Sequence, residues 1–196
     1  MIEPSPEQLA KLKARYGEPQ RAYHTWAHIE ALLDHFDILA DHVHNKTRIL
    51  WALYWHDAVY DPTRGDNEAV SADMLRTDGQ GLVPDETLEE AAIIIEATAK
   101  HQLPDALAGQ ALSDAALFLD IDLSILGSRD DVFDAYEDNI RVEYGFVSIE
   151  AYTAARANIL KGFLQRERLY FTDICREKWE KAARANLTRS IARLAP

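Results

Sequence analysis

Apolar positions recur at helical spacing along almost the whole chain, and few stretches alternate as a half-buried strand would. HTWAHIEALLDHFDILADHV sets Ile29, Leu32, Leu33, Phe36 and Leu39 on one face, which predicts a long amphipathic helix. Ahead of it, SPEQLAKLKARYG offers Ser5 as a cap, Pro6 in the first turn and Gly17 as a stop. KTRILWALYWHDAVY is apolar on nearly every side and predicts a central, buried helix. It gives way to DPTRGDN, a loop by its Pro, Gly, Asp and Asn content. EAVSADMLRTD, PDETLEEAAIIIEATAKHQ, SDAALFLDIDLSILG, DVFDAYEDNIRVEYG, SIEAYTAARANILKGFLQR and CREKWEKAARANLTRSIARL each predict another helix. The β-branched run in AAIIIEATA would suit a strand, but a length of about 14 residues with an acidic first turn favours helix. Without internal repeats or a long linker, the expectation is an all-α, bundle-like single domain over residues 1–196.

Length and composition agree with that picture and narrow the partners. A chain of 196 residues suffices for one well-buried domain. No apolar run approaches the roughly 20 residues of a membrane span, so no membrane partner is expected. MIEPSPEQLAKLKARYG lacks the basic start and apolar stretch of a secretory signal. Cys175 is the sole cysteine, so no internal disulfide can form and a cytoplasmic location is expected. The formal net charge is −12, and Lys and Arg are scattered among acids rather than gathered in a stripe. Long nucleic acid is therefore not an expected partner. A small anion remains compatible, because a bound divalent cation reverses the local field.

What the hydrophobic pattern leaves unexplained is a set of ionisable residues inside apolar runs. His56 and Asp57 stand side by side at the end of the central helix. His24 and His28 are four apart on the preceding predicted helix, hence on one face. Asp120 and Asp122 interrupt LFLDIDLSIL. Burying any of them unpaired would cost several kcal/mol. Taken singly, each is more often a hydrogen-bonded core residue or a cap than a ligand. Together, on three helices, they offer the imidazole and carboxylate donors that first-row divalent ions take in bundle cores.

The order His, His-Asp, Asp resembles the HD superfamily of metal-dependent phosphohydrolases, and within it a bacterial subgroup of predicted HD phosphohydrolases. The resemblance runs through YHTWAHIEALL, WALYWHDAVYDP, DNEAVSADML, IIIEATAKH, LFLDIDLSILG and IRVEYGFVS, which covers most of the chain. It implies an all-α HD-type bundle holding one divalent metal ion, whether Mn, Fe, Co, Ni, Zn or Mg. The implied ligands are His28, His56, Asp57 and Asp122, with Asp120 as the competing choice for the last. Family ligand histidines are followed four residues on by an apolar residue, as His28 is by Leu32. Asp120 and Asp122 project about 200° apart on a helix, so one of the two is expected to bind.

The resemblance also implies a cleft around the metal. Asp57 would orient or deprotonate a bound water, and His24 would face the same cleft. Lys100 and His101 would bind phosphate or donate a proton, although cations at a helix C-terminus need no such role. Glu68 would join the catalytic set and Asn67 and Ser71 would contact substrate; the plainer alternative makes Asn67 a helix cap. Arg141 would grip a phosphate, or form an ordinary salt bridge. Trp179 and Asn186 read as packing and surface. Further histidines between His56 and Asp122 number only one, His101, which argues against two-metal phosphodiesterase or di-iron oxygenase chemistry. The expected activity is hydrolysis of a small phosphorylated metabolite, possibly a nucleotide. A metal-stabilised, non-catalytic ligand-binding domain is the alternative reading, with an iron-dependent oxygenase behind it. Aromatic positions in the last two helices would tolerate a homodimer.

Overall fold

The computed structural model describes residues 1–194, and among them the only regular elements are helices. They are α1 (Pro6–Tyr16), α2 (Trp26–Leu39), α3 (Lys46–Trp55), α4 (Asn67–Gly79), α5 (Asp85–Thr98), α6 (Gly109–Asp122), α7 (Asp130–Glu143), α8 (Ile149–Leu164) and α9 (Asp173–Arg193). Short 3-10 turns follow α2 at Ala40–His42 and α6 at Leu123–Gly127. The all-α expectation holds, and AAIIIEATA lies inside α5. No helix among the described residues is long and apolar enough to cross a membrane.

Two compact units emerge, Met1–Ile121 and a second from Asp122 onward. The boundary falls at the last residue of α6, so Asp122 is carried by a helix whose every other residue belongs to the first unit.

In the first unit α3 is the hub, with α2, α4 and α5 packed against it. Ile49, Ala52, Leu53 and Trp55 are fully buried, as expected of a helix apolar on every side. Trp51 and Trp55 stack at 4.8 Å, and the Trp55 indole donates to Asp78 on α4 at 2.9 Å. α1 starts as its sequence demands: Ser5 accepts from the Gln8 amide while the Gln8 side chain accepts from the Ser5 amide, a complete capping box. Asn45 caps α3 by accepting from the Thr47 and Arg48 amides.

The sequence reading needs two corrections here. α2 begins at Trp26, not His24, because Thr25 is extended and the chain bends across residues 22–25. His24 and His28 therefore do not share a helix. Asn67 is the first residue of α4 rather than its cap, which is Asp66.

The second unit packs α9 along the 123–127 turn and along α8. Gly127 is required there, since a Cβ would sit 2.5 Å from that of Trp179. Asn186 is buried, not at the surface, and its amide donates to the carbonyls of Leu126 and Ser128 at 2.9 Å each. Tyr152 and Trp179 are buried as well, whereas Phe163 on α8 is part-exposed.

Candidate metal centre

Among the described residues, one group of histidine and acidic side chains converges closely enough to hold a metal ion. It consists of His28, His56 and Asp122, with one donor atom from each within 4.8 Å of the others. The donor groups are buried, although Asp122 as a residue retains intermediate exposure.

Each comes from the end of an element. His28 sits in the first turn of α2 and is buried beside Ile29 and Leu32. His56 closes α3, its amide still bonded to the Ala52 carbonyl. Asp122 ends α6, and helix geometry selects it over Asp120. Phe118 lies four residues earlier on the same face, and its ring meets the His56 ring edge-on at 5.8 Å. Asp120 is fully buried on α6, about 200° away from that face.

Hydrogen bonding fixes what His56 presents. Its Nδ1 lies 2.9 Å from the Leu53 carbonyl, which can only accept, so Nδ1 carries a proton. A neutral His56 therefore turns an Nε2 lone pair toward His28 Nε2 at 3.3 Å and Asp57 Oδ2 at 3.0 Å. Asp57 Oδ2 also lies 3.9 Å from His28 Nε2. A lone pair that close to a carboxylate needs positive charge between them, from a proton or a cation. Imidazole nitrogens bind zinc at about 2.0–2.1 Å, which sets two of them roughly 3.3 Å apart on a tetrahedral ion. The observed spacing matches, so these residues fit a metal. With the histidines protonated instead, burial pushes the Asp57 carboxyl up, but the charge of His56, then of His24, with a hydrogen bond from His56 and the charge of His28, outweighs it. The group is held well below the ordinary carboxylate range.

Asp57 lies in a turn rather than on a helix, and several side chains hold its backbone. The Tyr16 hydroxyl donates to the Tyr54 carbonyl at 3.0 Å and accepts from the Asp57 amide at 3.3 Å. Ser71 accepts from the Val59 amide at 3.0 Å and donates to its carbonyl at 3.4 Å. Asn67 accepts from the Asp61 amide and donates to its carbonyl. Arg21, buried, donates to the carbonyls of His24, Asp57 and Ala58. Sequence reasoning missed Arg21 and Tyr16, since neither sits in an apolar run beside a ligand.

The remaining predicted residues are placed as follows. His24 precedes α2, part-exposed, stacked on Tyr60 at 4.2 Å and edge-on to Tyr23 at 5.0 Å. Its ring is 6.2 Å from that of His28. Glu68 is in the first turn of α4, where an acid is favoured by the helix dipole. Lys100 and His101 follow the end of α5, and His101 has a left-handed backbone with φ of 46°. Arg141, in the second unit, forms no salt bridge among the described residues. It donates to the Tyr144 and Val147 carbonyls and covers the Tyr152 ring at 4.7 Å.

No family model matches the chain, and neither a curated protein nor a solved structure does.

Proposed function

We propose that the protein is a metal-dependent phosphohydrolase of the HD type, acting on a small phosphorylated metabolite in the cytoplasm. The observation that carries this reading is the convergence of His28, His56 and Asp122 with Asp57 Oδ2 against the two imidazoles. Asp57 is the fourth ligand in this reading. A divalent ion bound there would bring a water toward neutral pKa and polarise a phosphoryl oxygen.

The chain's own groups divide the remaining work. Asp57, held ionised by its histidine neighbours, can orient the attacking water as well as bind the ion. His24 faces Asp57 closely enough for its charge to be felt, and its part-exposed ring is suited to protonating a leaving oxygen. Lys100 and His101 are assigned to the phosphate; the left-handed backbone of His101 supports a functional constraint there. Asn67 and Ser71 serve by holding the turn that carries Asp57, and Glu68 is kept as a further catalytic candidate.

The test is metal content of the purified protein, then phosphate release from a panel of phosphorylated metabolites, nucleotides included, with Mn, Co, Mg or Ni. His56→Ala and Asp57→Ala should abolish release. Turnover that survives both substitutions would sink the assignment.

A further inference from the structure

Two arginines of the first unit are buried, and they are satisfied in different ways. Arg48 meets carboxylates: Glu90 from Nε at 2.8 Å, and Asp114. Arg21 meets backbone. Its side chain is fully buried, and its only acidic contact is a long one, 3.5 Å to the part-exposed Glu18. One terminal nitrogen donates to the His24 carbonyl at 3.0 Å and to the Asp57 carbonyl at 2.8 Å; the other reaches the Ala58 carbonyl at 3.2 Å. The guanidinium lies over Tyr16 at 5.0 Å and near Tyr60 at 5.4 Å, the ring on which His24 stacks. A planar fork with five donors can bridge two chain segments in this way, whereas a lysine ammonium cannot match its shape.

The segments it bridges are the ones that carry chemistry. His24 and Asp57 come from 33 positions apart in sequence, before α2 and after α3, and neither is inside a helix that would fix it. The two carbonyls share a single Arg21 nitrogen, so the guanidinium ties their backbones together. We propose that Arg21 is a positioning residue, a staple that fixes Asp57 and His24 relative to each other and thereby sets the geometry of the metal centre. Its importance for function rests on the metal reading above, but the staple itself is tested without metal.

Wild type, Arg21→Lys and Arg48→Lys are compared in two measurements. The first is amide hydrogen exchange of the metal-free protein at Asp57, Ala58 and Val59. The second is Co2+ titration followed by the visible spectrum of the bound ion. Arg21→Lys should speed exchange at those three amides by about tenfold or more. It should weaken Co2+ binding by about 10- to 100-fold, the usual effect of losing a residue that orients ligands, and shift the cobalt bands. Arg48→Lys should lower thermal stability yet leave those amides and the cobalt spectrum as in wild type. Wild-type exchange at the three amides in Arg21→Lys overturns the proposal, as does equal loosening by Arg48→Lys. If wild type takes up no Co2+ while Arg21→Lys still loosens the turn, the staple stands and the metal reading falls. Arg21→Gln is the second variant; failure of both Arg21 variants to fold makes the residue a general stabiliser and overturns the positioning role.

Discussion

The two ends of α3 handle buried charge in opposite ways. At the N-terminal end two carboxylates share one buried guanidinium. Asp114 accepts from the His44 and Asn45 amides and from Arg48, and Arg48 also holds Glu90. At the C-terminal end, His28 Nε2, His56 Nε2 and Asp57 Oδ2 crowd together with Asp122 close by, a cluster rich in acceptors. One face of α6 serves both ends: Asp114, Phe118 and Asp122 are successive four-residue steps along it. Asp114 and Asp122 are thus about 12 Å apart along the helix. The same residue type on the same face closes an ion-pair network at one point and joins a cluster that could hold a metal ion at the other. What differs is the partner the carboxylates meet, a guanidinium at one end and imidazoles at the other. The first arrangement is built for stability, whereas the second has the composition of a site.

Removing the arginine from the paired end should have the largest effect. Arg48→Met strands the fully buried Asp114 and the part-buried Glu90, and should cost about 3–5 kcal/mol in chemical denaturation. Metal affinity of the folded fraction should not change. A loss of affinity there would show that the two ends are coupled through α6, contrary to the division drawn above.

At the other end, a bound metal should add positive charge among the imidazoles and carboxylates. Divalent metal at 100 times its dissociation constant should raise wild-type stability by about 2.7 kcal/mol. His56→Ala should remove that increment. Differential scanning fluorimetry with and without chelator reads both, and an equal increment in His56→Ala would place the metal elsewhere.

The fold was far more legible in the sequence than the site. Apolar spacing sufficed for the helices, because each buries one face or, for α3, all of them. The clearest misplacement, His24 at the head of α2, arose because spacing alone does not show where the backbone turns extended at Thr25. The His28, His56 and Asp122 cluster was recoverable because ionisable residues inside apolar runs need an explanation, and because the resemblance ranked them. Arg21 and Tyr16 were not. Their contribution is hydrogen bonding to backbone carbonyls and an amide of a distant turn, a relation that leaves no periodic trace. The salt-bridge alternative for Arg141 failed for the same reason, since its partners are carbonyls rather than acids.

The choice between the two aspartates of α6 sharpens the comparison further. Asp122→Asn keeps the size of the side chain but removes its charge, and should weaken metal binding by about 10- to 100-fold in a competition titration with a chromophoric chelator. Asp120→Asn, on the opposite side of the helix from Phe118, should leave affinity within a few-fold of wild type. The reverse ranking would mean that the α6 face meeting His56 is not the one that supplies the ligand.

The smallest expected effect comes from Ser71, and it probes how hydrogen bonds to the turn backbone stabilise the site end of α3. Ser71 is fully buried, and its hydroxyl satisfies both the amide and the carbonyl of Val59. Ser71→Ala leaves that peptide group short of partners and should cost about 1 kcal/mol of stability. The turn would still be held by Arg21, Tyr16 and Asn67, so metal affinity should fall only a few-fold. A single ion-pair network fails when one member is lost, as at Arg48. A turn held by several independent hydrogen bonds should degrade in steps. If Ser71→Ala instead matched Arg48→Met in stability loss, the turn would be as cooperative as the network, and the contrast between the two ends would disappear.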